Sequence, residues 1–330
     1  MNTVHPEDRD TVRRNIDDAL MSGEDHSIEY RIVRSDGEIR WISSRGRRHP
    51  GEFGHPDNLM GVSTDVTDRK RAEQELRMLD IAREVQQQLL PRSNRAFPAL
   101  DLAAACVPAW ELGGDFYDFL PYGNGRLALA LGDVSGKGTA AALLAALTIG
   151  ILRAHSVDHP CAPEQLLATL NERLNAARLN ALFVAMVFAA FDSNARQITI
   201  ANAGNPYPLL VRKGRIEEIP LTGIPLGLMP DTKYEPVSLD LHSGDALVFV
   251  SDGILECQSS KHEAFGTERL AAVLTSLPSA ASAEGISSAI LSATDVFSGQ
   301  ASAQHDDPSL IVLRVTEDSP ADPSRSSLGH

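Results

Sequence analysis

Cysteine is scarce in this chain: three residues in 330, at Cys106, Cys161 and Cys257. They are scattered, odd in number and form no CxxC pair, so neither a zinc cage nor a disulfide framework is encoded. Such usage fits a reducing cytosol. Positive charge is short as well. Thirty Lys and Arg face 44 Asp and Glu, for a net charge of -14, which argues against nucleic acid, whose phosphates demand a basic face. Long apolar runs are missing too. The opening MNTVHPEDRD is charged and has no apolar core of a signal peptide. The run ALFVAMVFAAF at 181–191 is too short to cross a bilayer as a helix, so no membrane segment is expected. What is present, 43% hydrophobic and 22% charged residues over a length that accommodates two domains, describes a globular chain able to bury a core. The expected location is the cytoplasm.

Residues 1–67 form one compositional unit. IEYRIVRSDGEIRWISSRGRRH at 28–49 holds two strand-like runs around the turn sequence SDGE, and LMGVSTDVT at 59–67 offers a third. With HPED ahead of a helical stretch, this resembles the C-terminal half of a PAS sensor domain. Residues 68–92 follow without Gly, with Pro91 near the end, and are rich in helix formers. Apolar Leu76, Leu79, Ile81, Val85 and Leu89 recur at spacings of three and four. That segment reads either as an amphipathic helix packed on its neighbour or as a dimeric coiled-coil linker.

From about 93 to 316, strand patterns alternate with helical ones. Strands are expected at 100–109, 126–134, 183–192, 197–203, 207–212, 234–241, 246–251 and 309–315, and helices at 139–155, 163–180, 267–277 and 283–298. RLALALGD is apolar on successive residues and so reads as buried on both faces. Short turns such as DSNAR and RKGR favour antiparallel pairing. The Pro/Ser-rich tail at 317–330 reads as disordered.

LALALGDVSGKGTAAALL at 127–144 has the outline of a phosphate-binding P-loop, an apolar strand, a glycine turn with Lys137, then a helix. The spacing fails. Gly132 and Gly136 enclose three residues instead of four, and Gly138 follows Lys137 where Ser or Thr is required. The acids make the better case. Asp115 in ELGGDFYD, Asp133 in GDVSGKG, Asp252 in SDGILE, and Asp306 and Asp307 in HDDPSL each lie where an apolar strand meets a turn. One such motif alone reads as an Asx-capped turn. Carboxylates buried together repel, and divalent cations neutralise them. Oxygen-only ligands suit magnesium or manganese over zinc.

GGDFYDFLPYGNGRLALALGDVSGKGTAAALL, ANAGNPYPLL, GIPLGLMPD, GDALVFVSDGILE and HDDPSLIVLR follow one another in the order seen in SpoIIE-type phosphatases. These are bacterial members of the metal-dependent PPM (type 2C) serine/threonine phosphatase family, and the resemblance spans about residues 80–316. It implies an α+β fold, an α-β-β-α sandwich with a two-metal site at one edge, here preceded by the partial PAS segment and the helical linker. Asp115, Asp133 and Asp252 match the family's metal acids, with the Val134 carbonyl as a further ligand. The fourth acid falls at Asp306 by its spacing to the final strand, with Asp307 as the alternative. Two Mn2+ or Mg2+ ions held this way would activate a water for in-line attack on phosphorus, with Asp115 and Asp133 acting through that water. No nucleophilic Cys is required, in keeping with the absence of a C-x5-R signature.

The implied substrate is a phosphoserine or phosphothreonine protein, and the family suggests STAS-domain antagonists of anti-sigma factors in bacterial signal transduction. A homodimer through the linker helix is the implied assembly, with neither nucleic acid nor membrane as partner. Lys137 and Asn205 are candidate substrate contacts. Lys137 reads first as a solvated turn residue and second as a phosphate contact, and Asn205 stands where the family often has His. Ser251 replaces a frequent Thr, and Pro308 a frequent aliphatic residue. The competing reading is a catalytically weak or inactive sandwich that binds a partner protein.

Overall fold

The computed structural model describes residues 3–49, 58–91, 97, 99–108, 112–123, 125–158, 160–178, 182–299 and 306–316. The expected disordered tail at 317–330 lies outside them. The chain divides into two units, Met1–Ile81 and Ala82–His330.

In the first unit a short 3-10 turn, Pro6–Asp8, leads into α1, Arg9–Ser22. Gly23 closes α1 at φ 74°, a left-handed cap that glycine adopts without a steric penalty. Three strands follow in the antiparallel order β1–β2–β3: β1 His26–Val33, β2 Ile39–His49 and β3 Asn58–Asp65. The SDGE turn joins the first two, with Gly37 at φ 86°. Asp8 clamps the sheet to the helix entry through Arg31, whose Nε and Nη2 donate to its two oxygens at 3.0 and 2.6 Å. Those bonds hold the Asp8 carboxyl below its usual range. α2, Thr67–Leu89, then runs across the division between the units.

The second unit is a sandwich of two five-stranded sheets. The first has the order β11–β8–β7–β6–β5, built from β5 Phe116–Pro121, β6 Arg126–Val134, β7 Val184–Asp192, β8 Gln197–Ala203 and β11 Val237–Asp240. The second has the order β10–β9–β12–β13–β4, built from β4 Leu100–Cys106, β9 Leu209–Arg212, β10 Arg215–Glu218, β12 Ala246–Val250 and β13 Ser309–Val315. Helices α3, Thr139–Asp158, and α4, Pro163–Ala176, cover the first sheet. A single turn α5, Asp252–Leu255, follows β12, and α6, Gly266–Ser276, with α7, Ala283–Ser298, covers the second.

Strand periodicity builds three apolar layers from these elements. In β6, Leu127, Leu129 and Leu131 point between the sheets, while Ala128 and Ala130 face α3 and α4. The strand is therefore buried on both faces, and its pairs with β5 and β7 are antiparallel. Phe119, Phe191 and Phe249 fill the middle layer, and Leu270, Leu274, Ile286 and Ile290 seal the outer face of the second sheet.

The alternating pattern gives no sign of β5 and β10. FYDFLP carries an acid in mid-strand, yet Asp118 is 2% exposed because Arg153 Nε donates to it at 2.6 Å. α4 stops at Ala176, short of the expected 180. The helix over 139–156 is, by length and composition, apolar enough to cross a membrane, a property that the search for long runs misses. Ala141, Leu144, Ala145, Ile149 and Leu152 of that stretch are packed in the outer core layer instead.

Phe249 is wholly buried between the sheets, on the strand that carries Asp252 at its end. Phe249→Ala removes its ring from water-free packing and is expected to cost about 3–5 kcal/mol. Urea unfolding checks this, and a midpoint unchanged from the parent would show that the middle layer does not hold the sandwich.

Candidate functional site

Each sheet ends in acids at the same edge of the sandwich. Phe116 pairs with Gly132, so the next residues outward on β5 and β6 are Asp115 and Asp133. Val250 pairs with Leu310, which places Asp252 and the Asp306–Asp307 pair beyond adjacent ends of β12 and β13.

Close backbone approach is what lets the two sheets share that edge. The Gly114 N–H donates to Asp307 Oδ2 at 2.9 Å, joining residues 193 positions apart. A Cβ on Gly113 would stand 2.6 Å from that same oxygen, and one on Gly114 2.9 Å from the Val134 carbonyl. A Cβ on Gly253 would meet the Asp307 carbonyl at 2.3 Å. The glycines of GGD and SDG are therefore spacers for the acids. Ser251 completes the seam: its Oγ donates to the Asp307 carbonyl at 3.1 Å and accepts from the Ser309 N–H at 3.0 Å. From the other side Gln86 of α2 clamps the loop, donating to the Gly113 carbonyl at 2.6 Å and accepting its N–H at 3.2 Å.

The electrostatics follow from burial. Asp115 is buried, and loss of water raises its pKa well above the ordinary carboxylate value, with the Asp133 charge adding to the effect. Burial likewise raises Asp133, helped by the charges of Asp306 and Asp307. Asp252 is pushed up to about 7 by burial and by the Asp133 and Asp306 charges. Oδ2 of Asp115 and Oδ1 of Asp252 are buried without a hydrogen-bond partner among the described residues. A buried acceptor of that kind costs free energy unless something binds it.

These oxygens fit a hard cation: the donors are oxygen only, buried, crowded and unsatisfied. Among the described residues no three His, Cys, Asp or Glu side chains stand ready to hold an ion as they are placed. The two adjacent acids differ in their duties. Asp307 is 5% exposed and engaged by Gly114, whereas Asp306 is half-buried and accepts the Asp307 N–H at 3.2 Å.

A cavity of about 430 Å3 opens beside the acids, lined by Asp133, Asn205, Tyr207, Glu218, Asp252 and Glu256 among others. Asn205 is buried. Its Nδ2 donates to the Val250 carbonyl at 3.0 Å, and its Oδ1 is unpartnered. Lys137 is exposed on the turn after β6 and does not line the cavity. Cys106, behind Asp115, has its thiol pushed up to about 12 by burial, which leaves it inert as a nucleophile at neutral pH.

Reading the sequence does not single out Glu218, Tyr207 or Glu256. Glu256 could be found, since it lies four residues after Asp252 across a single helical turn. Asn202 was missed as well. Its Nδ2 donates to the Asn205 and Leu221 carbonyls at 2.8 and 2.6 Å, bracing the loop that carries Asn205.

A family model described as Stage II sporulation protein E (SpoIIE) matches residues 123–316, and one described as PAS fold matches residues 1–63. The chain is 30% identical over 183 residues to phosphoserine phosphatase RsbU of Bacillus subtilis, covering 55% of this chain and 54% of that protein. It is 29% identical over 224 residues to protein IcfG of Synechocystis sp., covering 60% of this chain and 35% of that one. It thus spans about a third to a half of these relatives' lengths. The SiaA-PP2C domain of Pseudomonas aeruginosa shares the fold, with a TM-score of 0.64, 19% identity, and coverage of 76% of this chain and 99% of that domain.

The raised acids make stability depend on pH. A carboxyl with a raised folded pKa binds its proton more tightly folded than unfolded, so its contribution is present at low pH and is lost as pH rises toward the folded value. For Asp252 the loss spans from the ordinary carboxylate value to about 7. Metal-stripped protein is expected to melt at lower temperature at pH 8 than at pH 5. Asp252→Asn is expected to flatten that slope, and Mn2+ to restore the melting temperature at pH 8. Scanning calorimetry reads all three, and an unchanged slope in the variant would show that Asp252 does not titrate as described.

Proposed function

The chain belongs to the SpoIIE family of PPM-type serine/threonine phosphatases, with a PAS fold at its N-terminus, and on that premise we propose that it hydrolyses phosphoserine or phosphothreonine in a partner protein. The observation that carries this reading is the convergence of two carboxyl pairs, one from each sheet, with unpartnered buried oxygens beside a cavity.

Asp115, Asp133, Asp252 and Asp306, with the Val134 carbonyl, would hold two Mn2+ or Mg2+ ions. Asp307 is assigned to positioning, because Gly114 occupies its Oδ2. Bound divalent ions supply Lewis acidity, lowering the pKa of water and offsetting charge on the phosphoryl oxygens. The protein's own part is to hold the acids in register, which Ser251, Gln86 and the paired glycines do through backbone contacts. Asn205 lines the cavity with its amide nitrogen tied to the Val250 carbonyl and its buried Oδ1 left as an unpartnered acceptor. It has no proton to move. Lys137 is exposed on the turn after β6 and does not line the cavity, so a contact with the substrate phosphate there would be made outside it.

The substrate class follows from the family resemblance: a STAS-domain antagonist of an anti-sigma factor, in the cytoplasm, with neither nucleic acid nor membrane as partner. In the same reading, residues 1–67 are the PAS-like part, 68–92 the linker and 93–316 the phosphatase domain. The linker supports a homodimer. Met78, Ile81 and Val85 of α2 are 71, 62 and 55% exposed at spacings of three and four, an apolar stripe that a second copy would cover.

The test uses the full chain, a phosphoserine protein substrate and Mn2+. Phosphate release is expected to depend on the metal and to fall on the order of 100-fold or more in Asp133→Asn, while Lys137→Ala stays within a few-fold of the parent. Full activity in Asp133→Asn would refute the assigned mechanism. Calorimetry without divalent binding at millimolar metal would favour the non-catalytic partner-binding reading.

A further inference from the structure

The second sheet's outer face does not end where its helices end. Leu209 and Val211 on β9 point toward α6 and α7, and so do Val248 on β12 and Leu310 and Val312 on β13. By the same alternation Arg314 continues that face past the last core residues, and Lys213 stands beside it on the turn that follows β9, at φ 51°. Ala246 lies between Val211 and Arg314 in register, so the two flanking strands are two spacings apart, about 10 Å.

Here α6 has ended at Ser276, and the connection to α7 leaves a groove of about 680 Å3. That volume is in the range of sites for small organic ligands. Its floor is apolar, made by Val211, Ala246, Leu274, Leu277 and Ile286. Its rim is cationic, although the chain as a whole carries a net charge of -14. The groove's single carboxylate among the described residues, Asp245, is buried and spent. It accepts Arg212 Nε and Nη2 at 3.0 and 2.7 Å and the His242 N–H at 2.8 Å. Asp101, the cross-strand neighbour of Arg314, is turned to the start of α7, where it accepts the Ala283 N–H at 2.7 Å. Lys213 has no ion pair among the described residues, and Arg314 donates to a neutral carbonyl, that of Ser279, at 3.2 Å. Two uncompensated cations therefore stand over an open apolar floor, at the end of β12 and β13 opposite the acid edge.

We infer that this groove binds a single anionic amphiphile, its carboxylate or phosphate head held by Lys213 and Arg314 and its aliphatic chain laid along Leu274, Leu277 and Ile286. A bare anion would leave the floor wet, and a neutral alkyl chain would leave the cations unmatched. The concave shape suits one molecule and not a bilayer face.

Isothermal titration calorimetry of the full chain tests this with decanoate and decyl phosphate below their micellar concentrations. Inorganic phosphate, decanol and phosphatidylglycerol vesicles are the controls. Saturable one-to-one binding of both amphiphiles is expected, at least about tenfold tighter than inorganic phosphate or decanol. Hydrogen exchange is expected to slow at 211–214 and 274–281. The double variant Lys213→Gln, Arg314→Gln should bind about tenfold or more weakly with an unchanged melting temperature. Absence of saturable binding, equal affinity for inorganic phosphate, a double variant that binds like the parent, or binding to vesicles alone would each overturn the proposal.

Discussion

Like charges held away from water are the constraint around which the second unit is arranged. Asp115, Asp133 and Asp252 keep their protons more tightly than free carboxyls do because burial and one another's charges penalise ionisation. A fold bears such a cluster only if its backbone holds the groups together rigidly. The bond from Gly114 to Asp307, 193 residues apart, and the two bonds of Ser251 do that holding. The nearby glycines are absences of side chain at points where a Cβ would collide with the acids or their backbone.

The layered core supplies the rigidity. Each sheet is buried on both faces, between its partner sheet and a pair of helices, so its strand ends cannot drift independently. β12 and β13 run through the centre of the second sheet from the cationic groove to the acids. The acids and the cationic groove thus stand at opposite ends of the same buried strands. α2 reaches the acid edge through Gln86, which grips the backbone of Gly113.

Much of this was legible from the chain alone, for identifiable reasons. The RLALALGD strand announced its double burial by unbroken apolar residues, and the SDGE turn announced its hairpin by Asp-Gly. β5 was hidden because its acid, Asp118, is neutralised by Arg153, a residue 35 positions away. Tyr207 and Glu218 were hidden because a cavity wall is assembled from separate elements and has no local pattern. The α3 run is long and apolar enough to cross a membrane, and packing of its small residues against the sheet is a tertiary fact.

The sequence by itself determined the candidate acids, their place at strand ends, the failure of the P-loop spacing and the motif order that marks the family. Those are local properties, written in spacing and residue type. The tertiary structure alone decided that Asp307 is tied to Gly114 while the charge of Asp306 acts on Asp133 and Asp252, that Lys137 is exposed and outside the cavity lining, and that two cations stand over an apolar floor at the far edge. Each of those depends on which residues meet across the sandwich, and such meetings are set by strand pairing and burial over long separations in the chain.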